Sequence, residues 1–370
     1  MGYTKRREFY RDYEKKRRKP LIVYVTSIRQ NVPSQMANDA IISIVEQIKR
    51  IPPDKEEVDF LIISNGGDPI VSLRIITILR ERFKRIAVIV PYAAFSAATI
   101  LALGADEIVM HPYSNLGPLD PLLSIVKPGG HNRPAQMQFS FEDIRNYIEF
   151  LRNDVGITDP AQLMTAFNAL AAEVGPIPIG SSKRTQQLSL SLITKMLETH
   201  LDDKDTAATI AKTLNTSYYH HGYAVGRKEA RDIGLNVIIP DKELEDIMWA
   251  IWLDFCGEMK CDQAFDPVSE IMTDPKAKQA FAQVPVVLLP ANTPPNVAQN
   301  LITQVAQQNA QITRQAPSEI VQSLAAIESL HKAYAFTNRL NVIYWRDANM
   351  ALSYNITAYS KGWEAVDNRG

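Results

Sequence analysis

The chain has 370 residues, 46% of them hydrophobic, a net charge of −1 and two cysteines. At about 150 residues per domain this suggests two domains, with apolar content sufficient for a sizeable core and no molecule-wide charge to trap nucleic acid or anionic lipid. Cys256 and Cys261 fall short of a four-ligand zinc site and fit a reduced, cytoplasmic setting, no run approaches the roughly 18 apolar residues of a membrane helix, and the charged N-terminus lacks a signal peptide's apolar core.

Residues 1–19 form a basic arm in which Lys5, Arg6, Arg7, Arg11, Lys15, Lys16, Arg17, Arg18 and Lys19 outweigh Glu8, Asp12 and Glu14. It reads either as a tail for acidic partners, nucleic acid or lipid headgroups or as a solvated helical arm used in subunit packing. No aromatic-interleaved nucleic-acid motif follows, so no nucleic-acid partner is expected, and a membrane contact through the arm has no further support. Leu21 to Ile28 is a β-branched run short enough for a buried strand. Asn38 to Ile48 has helical spacing and stops at Pro52-Pro53. Val58 to Ile63 is a second strand, closed by Ser64-Asn65-Gly66-Gly67, and Ile70 to Phe83 is helical. Ile86 to Val90 and Glu107 to Met110 are strands around a small-residue helix from Ser96 to Leu103. This alternation predicts a mostly parallel sheet covered by helices, with ligands at the carboxyl ends of its strands.

Beyond this core, 122–178 is less regular, with helices near 142–153 and 160–173. Helices follow at Lys183 to Leu201 and Asp241 to Phe255. The reading divides the chain into the arm at 1–19, a main α/β domain at 20–256 and a small α+β appendage at 257–370. In the appendage a strand is expected at Val284 to Leu289, helices at 296–313 and 318–332, and a hairpin from Tyr334 to Trp345 and Met350 to Tyr359.

A serine nucleophile needs an exposed hydroxyl on a rigid turn, N–H donors for the oxyanion and a base. Ser96 stands at a strand-to-helix turn among Ala93, Ala94, Ala97 and Ala98, which let a substrate backbone approach. Gly66 and Gly67 offer an unobstructed backbone that can aim an N–H at the same place. Each feature alone is weak, since serine at a helix start is usually an N-cap and Gly-Gly after a strand is usually a turn.

Taken in order, these features have a family counterpart. SNGGDPIVSLRII and PYAAFSAATILALGADEIVMHPYSNLGPLDP resemble the glycine turn and nucleophile segment of the Clp protease proteolytic subunit and signal peptide peptidase A. They resemble most the serine dehydrogenase proteinase family, and HHGYAVGRKEARDIGL resembles that family's terminal element. The resemblance covers roughly residues 20–240 and implies a ClpP/crotonase-type fold. It also implies a serine endopeptidase that needs no ATP of its own and acts on peptides or unfolded chains. Ser96 would be the nucleophile and the N–H groups of Gly67 and Ala97 the oxyanion donors. Gly66, Asp68, Phe95, Gly117, Pro118, Leu119 and Asp120 would border the substrate groove. Phe95 departs from the small or basic residue expected before the nucleophile.

For the base, the position of the Clp histidine falls near Leu119 or Asp120, where no histidine stands. His111 reads as structural, and His131 lies in a Gly-rich loop. Gly180-Ser181-Ser182-Lys183 has the Gly-x-x-Lys spacing of signal peptide peptidase A, which makes Lys183 the expected base of a Ser-Lys dyad, with Lys195 as an alternative. His220-His221 makes a poor chelate, so neither metal nor cofactor is expected. A homo-oligomer packed through the 122–178 insertion is expected. A catalytically silent scaffold and a crotonase-type acyl-CoA enzyme stay open as alternatives.

Overall fold

The computed structural model describes residues 2–128, 134–216, 218, 222–275, 277–278, 288–312, 318–346 and 352–366. Its strands are, in chain order, β1 (Leu21–Thr26), β2 (Glu57–Ile63), β3 (Arg85–Val90), β4 (Ala93–Ala94), β5 (Glu107–Met110), β6 (Asn115–Leu116) and β7 (Leu123–Pro128). Then come β8 (Pro134–Phe139), β9 (Val225–Gly226), β10 (Val237–Ile238), β11 (Ser318–Glu328), β12 (Ala333–Arg346) and β13 (Leu352–Val366). The helices are α1 (Tyr3–Arg17), α2 (Ala40–Ile48), α3 (Pro69–Arg82), α4 (Ala97–Leu103), α5 (Phe141–Asn153), α6 (Pro160–Val174) and α7 (Pro176–Leu197). They continue as α8 (Lys204–Thr216), α9 (Arg227–Asp232), α10 (Lys242–Met259), α11 (Pro267–Ile271) and α12 (Pro295–Ile312).

The main sheet runs β10-β5-β3-β2-β1-β11-β12-β13. Its first five strands are parallel, and β11 to β13 add antiparallel ones at the β1 side. The parallel strands are apolar at nearly every position because both faces are covered. Ile22, Tyr24, Phe60, Ile62, Val88 and Val90 face the core shared with α2, α3, α4, α7 and α8. Leu21, Val23, Val25, Leu61, Ile63 and Ile89 face a second core closed by α1 and α10. The expected parallel sheet with covering helices is the architecture found. A small sheet, β4-β6-β9, stands over the carboxyl ends of the parallel strands.

Three local expectations are corrected. The basic arm is a helix with Lys5, Arg11, Lys15, Lys16 and Arg18 exposed, but its inner face is not solvated. Its i, i+3, i+4 positions Tyr3, Arg6, Tyr10 and Tyr13 are buried against its own chain, and Tyr13 and Arg17 hold the buried Asp59 carboxylate of β2 at 2.8 and 2.7 Å. Residues 318–328 form a strand where a helix over 318–332 is expected from sequence. Leu324 to Ile327 are all buried, so the segment reads as a continuous apolar run, and pairing to β1 decides its state. Helix α7 starts at Pro176, seven residues earlier than its periodicity predicts, with proline in the first turn, where its missing N–H is harmless. The strand expected at Val284 to Leu289 lies mostly outside the described residues.

Candidate active site

The site begins with the chain's exit from β2. Ser64 bridges to Ala94 of β4, donating from its N–H to Ala93 O at 2.9 Å and accepting from Phe95 N–H at 2.9 Å. Ser64 Oγ shares a 2.6 Å hydrogen bond with Thr26 Oγ1 and accepts from Gly66 N–H at 2.9 Å. The glycine turn is also bound to Met36, whose N–H donates to Gly66 O at 2.7 Å and whose carbonyl accepts from Asp68 N–H at 3.0 Å. Gly66 (φ 102°) and Gly67 (φ 149°) lie in left-handed backbone. Side chains at these positions would meet Ser96 Cβ at 2.8 Å and Met36 O at 2.3 Å, so both glycines are required by space as well as by φ. Asp68 then accepts from Ile70 N–H at 2.9 Å and caps α3, with Pro69 in its first turn.

Ser96 sits between β4 and α4 at φ 51°, ψ −119°. A non-glycine residue there carries roughly 1–3 kcal/mol of strain, and the surroundings hold it. Thr99 Oγ1 donates to Ala94 O at 2.6 Å and accepts from Gly117 N–H at 2.9 Å, and Ser72 Oγ donates to Ala97 O at 2.6 Å. Among the described residues, no protein acceptor takes the N–H of Gly67 or of Ala97. Two backbone donors therefore stand beside Ser96 without partners among the described residues.

The loop after β6 forms the opposite wall. Leu119 is clamped by its N–H to Leu214 O at 2.9 Å and by its carbonyl, which accepts from Asn215 Nδ2 at 2.9 Å and Ser189 Oγ at 3.0 Å. The result is a cleft of about 300 Å³ that Ser96 shares with Gly67, Leu119, Asp120, Thr185 and Ser189. Of the expected groove residues, Leu119 and Asp120 line this cleft, together with Gly67, the expected oxyanion donor. Gly66, Gly117 and Pro118 are buried, Asp68 is an exposed helix cap, and Phe95 is half-buried. The unexpected Phe95 ring has its place because Gly117 is bare, since a Cβ there would lie 2.4 Å from Phe95 Cδ1.

Part of the chain matches known proteins. Residues 4–131 match the family of ClpP-like SDH-type serine proteinases. The matched stretch holds the glycine turn, Ser96 and Asp120. Two uncharacterized proteins of Methanocaldococcus jannaschii are 24% and 26% identical, over 53% and 52% of this chain and 58% and 57% of their own length. The chain thus spans under two thirds of the curated relatives it matches. A solved membrane-bound stomatin-specific protease is 17% identical over 61% of this chain and 82% of its own, with a TM-score of 0.35, an overlap too low to carry its properties across.

The lysines considered as bases do not line the cleft that holds Ser96. Thr185, Leu188 and Ser189 are the α7 residues that line the cleft, and Lys183 lies roughly 120–160° around the helix from each of them at 3.6 residues per turn. Lys183 and Lys195 are both exposed. His111 is buried at the end of β5, stacked on Trp249 at 5.0 Å, and burial lowers its pKa. His131 and His220-His221 lie outside the described residues. Asp120 does line the cleft, and burial pushes its carboxyl up to about 6, the Ser140 hydroxyl opposing and Asp143 and Glu142 adding. Sequence reasoning passes over Thr185, Leu188 and Ser189, although their i, i+3, i+4 spacing on one helical face is a signal that points to them. Among the described residues there is no group of three or more His, Cys, Asp or Glu able to hold a metal, and no helix long and apolar enough to cross a membrane.

Proposed function

We propose that the chain is a serine endopeptidase that cleaves peptides or unfolded chains through an acyl-enzyme on Ser96. The observation that carries this reading is the conjunction at one cleft of a strained, tightly held serine with two unpartnered N–H groups, those of Gly67 and Ala97. Ser96 Oγ attacks the scissile carbonyl, and the oxyanion takes hydrogen bonds from those two N–H groups, which need no rearrangement to donate. The matched family supports the reading. The Ser-Lys dyad expected from sequence is not carried into the proposal, because Lys183 faces away from the cleft lining. The proposed reaction uses no nucleotide, so cleavage should proceed equally with and without ATP.

The test is hydrolysis of casein and mixed peptides, together with labelling by a fluorophosphonate probe. Wild type should cleave and carry one adduct on Ser96 by mass spectrometry. Ser96→Ala, equally folded, should lose the adduct and at least about 10⁴-fold of the rate. A wild-type protein with neither adduct nor cleavage would return the scaffold reading.

We also propose that α5 to α7 mediate self-association. Helix α6 is largely apolar yet has no buried residue, and Phe150, Met164 and Ile177 are exposed. Light scattering should show more than one subunit, and Met164→Glu with Ile177→Glu should shift the mass toward the monomer.

A further inference from the structure

We propose that Asp120 is the group that exchanges protons with Ser96, so that the catalytic pair is a serine and a carboxylate. This inference rests on the peptidase reading above and supplies the base that reading lacks. Three observations carry it. Asp120 and Ser96 line one cleft of about 300 Å³. Oδ1 of Asp120 is buried with no hydrogen-bond partner among the described residues, an arrangement that costs free energy and is uncommon without a use. Finally, the loop is not free to turn Asp120 away. Leu119, next in the chain, is held at both N–H and carbonyl by α7 and α8, and Gly117 is held by Thr99 of the nucleophile's own helix.

The surroundings suit a carboxylate base. The groups facing Asp120 from α5 are Ser140 at its N-cap and the acidic Glu142 and Asp143. From α7 the cleft lining is Thr185, Leu188 and Ser189, from α4 Ile100, and from the start of α3 Pro69, none of them charged. Among the described residues, no cation is among the groups that act on the carboxyl. Desolvation first, and the two acidic neighbours second, raise its proton affinity toward the range useful near neutral pH.

The steps balance. As Ser96 Oγ bonds to the scissile carbonyl carbon, its proton passes to Asp120 and the C=O electron pair moves to the oxygen. When the tetrahedral adduct collapses, the C–N bond breaks and Asp120 returns the proton to the leaving amine, which leaves an ester on Ser96. A water then gives its proton to Asp120 and attacks the ester carbon. The C–Oγ bond breaks, and Asp120 re-protonates Ser96.

The experiment is the rate of fluorophosphonate labelling of Ser96 between pH 4 and 9 in wild type, Asp120→Asn and Lys183→Ala. Wild-type labelling should rise through about pH 6, where the carboxyl ionises, and be level above it. Asp120→Asn should label at least about 100-fold more slowly and lose that inflection. Its fold should be at least as stable as wild type at pH 7. An acid whose folded pKa is raised is most favourable while protonated in both states, and it costs stability as pH rises from its unfolded value of 3.8 through about 6. A neutral amide removes that cost, so melting temperatures measured at pH 4 and pH 7 separate lost chemistry from lost structure. Asp120→Asn labelling at the wild-type rate, or the loss appearing in Lys183→Ala instead, overturns the assignment while leaving Ser96 as nucleophile. Absence of any wild-type adduct overturns the peptidase reading itself, and this inference with it.

Discussion

Arg6→Ala should destabilise the protein by about 3–5 kcal/mol, the range for removing one partner of a buried ion pair. The Arg6 side chain is 2% exposed and donates to Glu328 through Nε at 2.9 Å and Nη2 at 2.6 Å, and to Asp254 through Nη1 at 2.6 Å. Glu258 completes the shell at the rim, Tyr10 donates to Glu328 at 2.7 Å, and the guanidinium lies 4.0 Å from the centre of the Phe255 ring. Asp254 and Glu328 are each only 2% exposed, so alanine would strand two carboxylates inside the protein. Arg6→Lys should recover only part of the loss, because one ammonium cannot reproduce a fork of donors to two acids. Urea unfolding measures both. A loss below about 1 kcal/mol in Arg6→Ala would show that the carboxylates find other partners or water.

Gly67→Ala should reduce kcat/KM for peptide cleavage by about 10²–10³, the usual consequence of losing one oxyanion donor. A Cβ at this position falls 2.3 Å from Met36 O and 2.5 Å from Met36 N, and at φ 149° the backbone itself disfavours a side chain. The obstructing atoms are main chain and cannot swing aside, so the turn must move and take the Gly67 N–H with it. Because that N–H is assigned to the oxyanion, the loss should fall mainly on kcat. An unchanged kcat with a raised KM would place the turn in substrate binding instead. Gly117→Ala offers a contrast. Its nearest obstruction is the Phe95 ring, so Phe95→Ala in the same chain should restore part of any loss, whereas no side-chain change can relieve Gly67→Ala.

Much of the parallel core is readable in the sequence, because strands covered on both faces appear as unbroken β-branched runs, as in Leu21–Thr26 and Arg85–Val90. Helices α2 and α3 are equally plain, marked by periodicity and, for α3, by Asp68-Pro69. Ser96 and the glycine turn are legible because each turn needs a particular residue type. Long-range placement is less legible. Nothing local in 318–328 announces that it pairs with residues 23–26, and a run of Leu324, Ala325, Ala326 and Ile327 suits a buried helix equally well. The arm at 1–19 misleads for the opposite reason, since its many cations hide the tyrosines and Arg6 that face inward. Lys183 shows the limit of motif spacing. Four residues fit a pattern, but the early start of α7 and the resulting helical phase decide which side chains reach the cleft.

The position of β1 in the main sheet also sets a timetable for biosynthesis. One edge of β1 is paired early, by β2, while the other waits for β11. Some 290 residues separate Thr26 from Ser318, so at ribosomal rates of 5–20 residues per second that edge remains open for roughly 15–60 s. Glu328, the acid that receives Arg6, also arrives at the end of this interval. During it the nascent chain presents an unpaired apolar strand, the kind of surface that recruits chaperones or pairs wrongly with a neighbour.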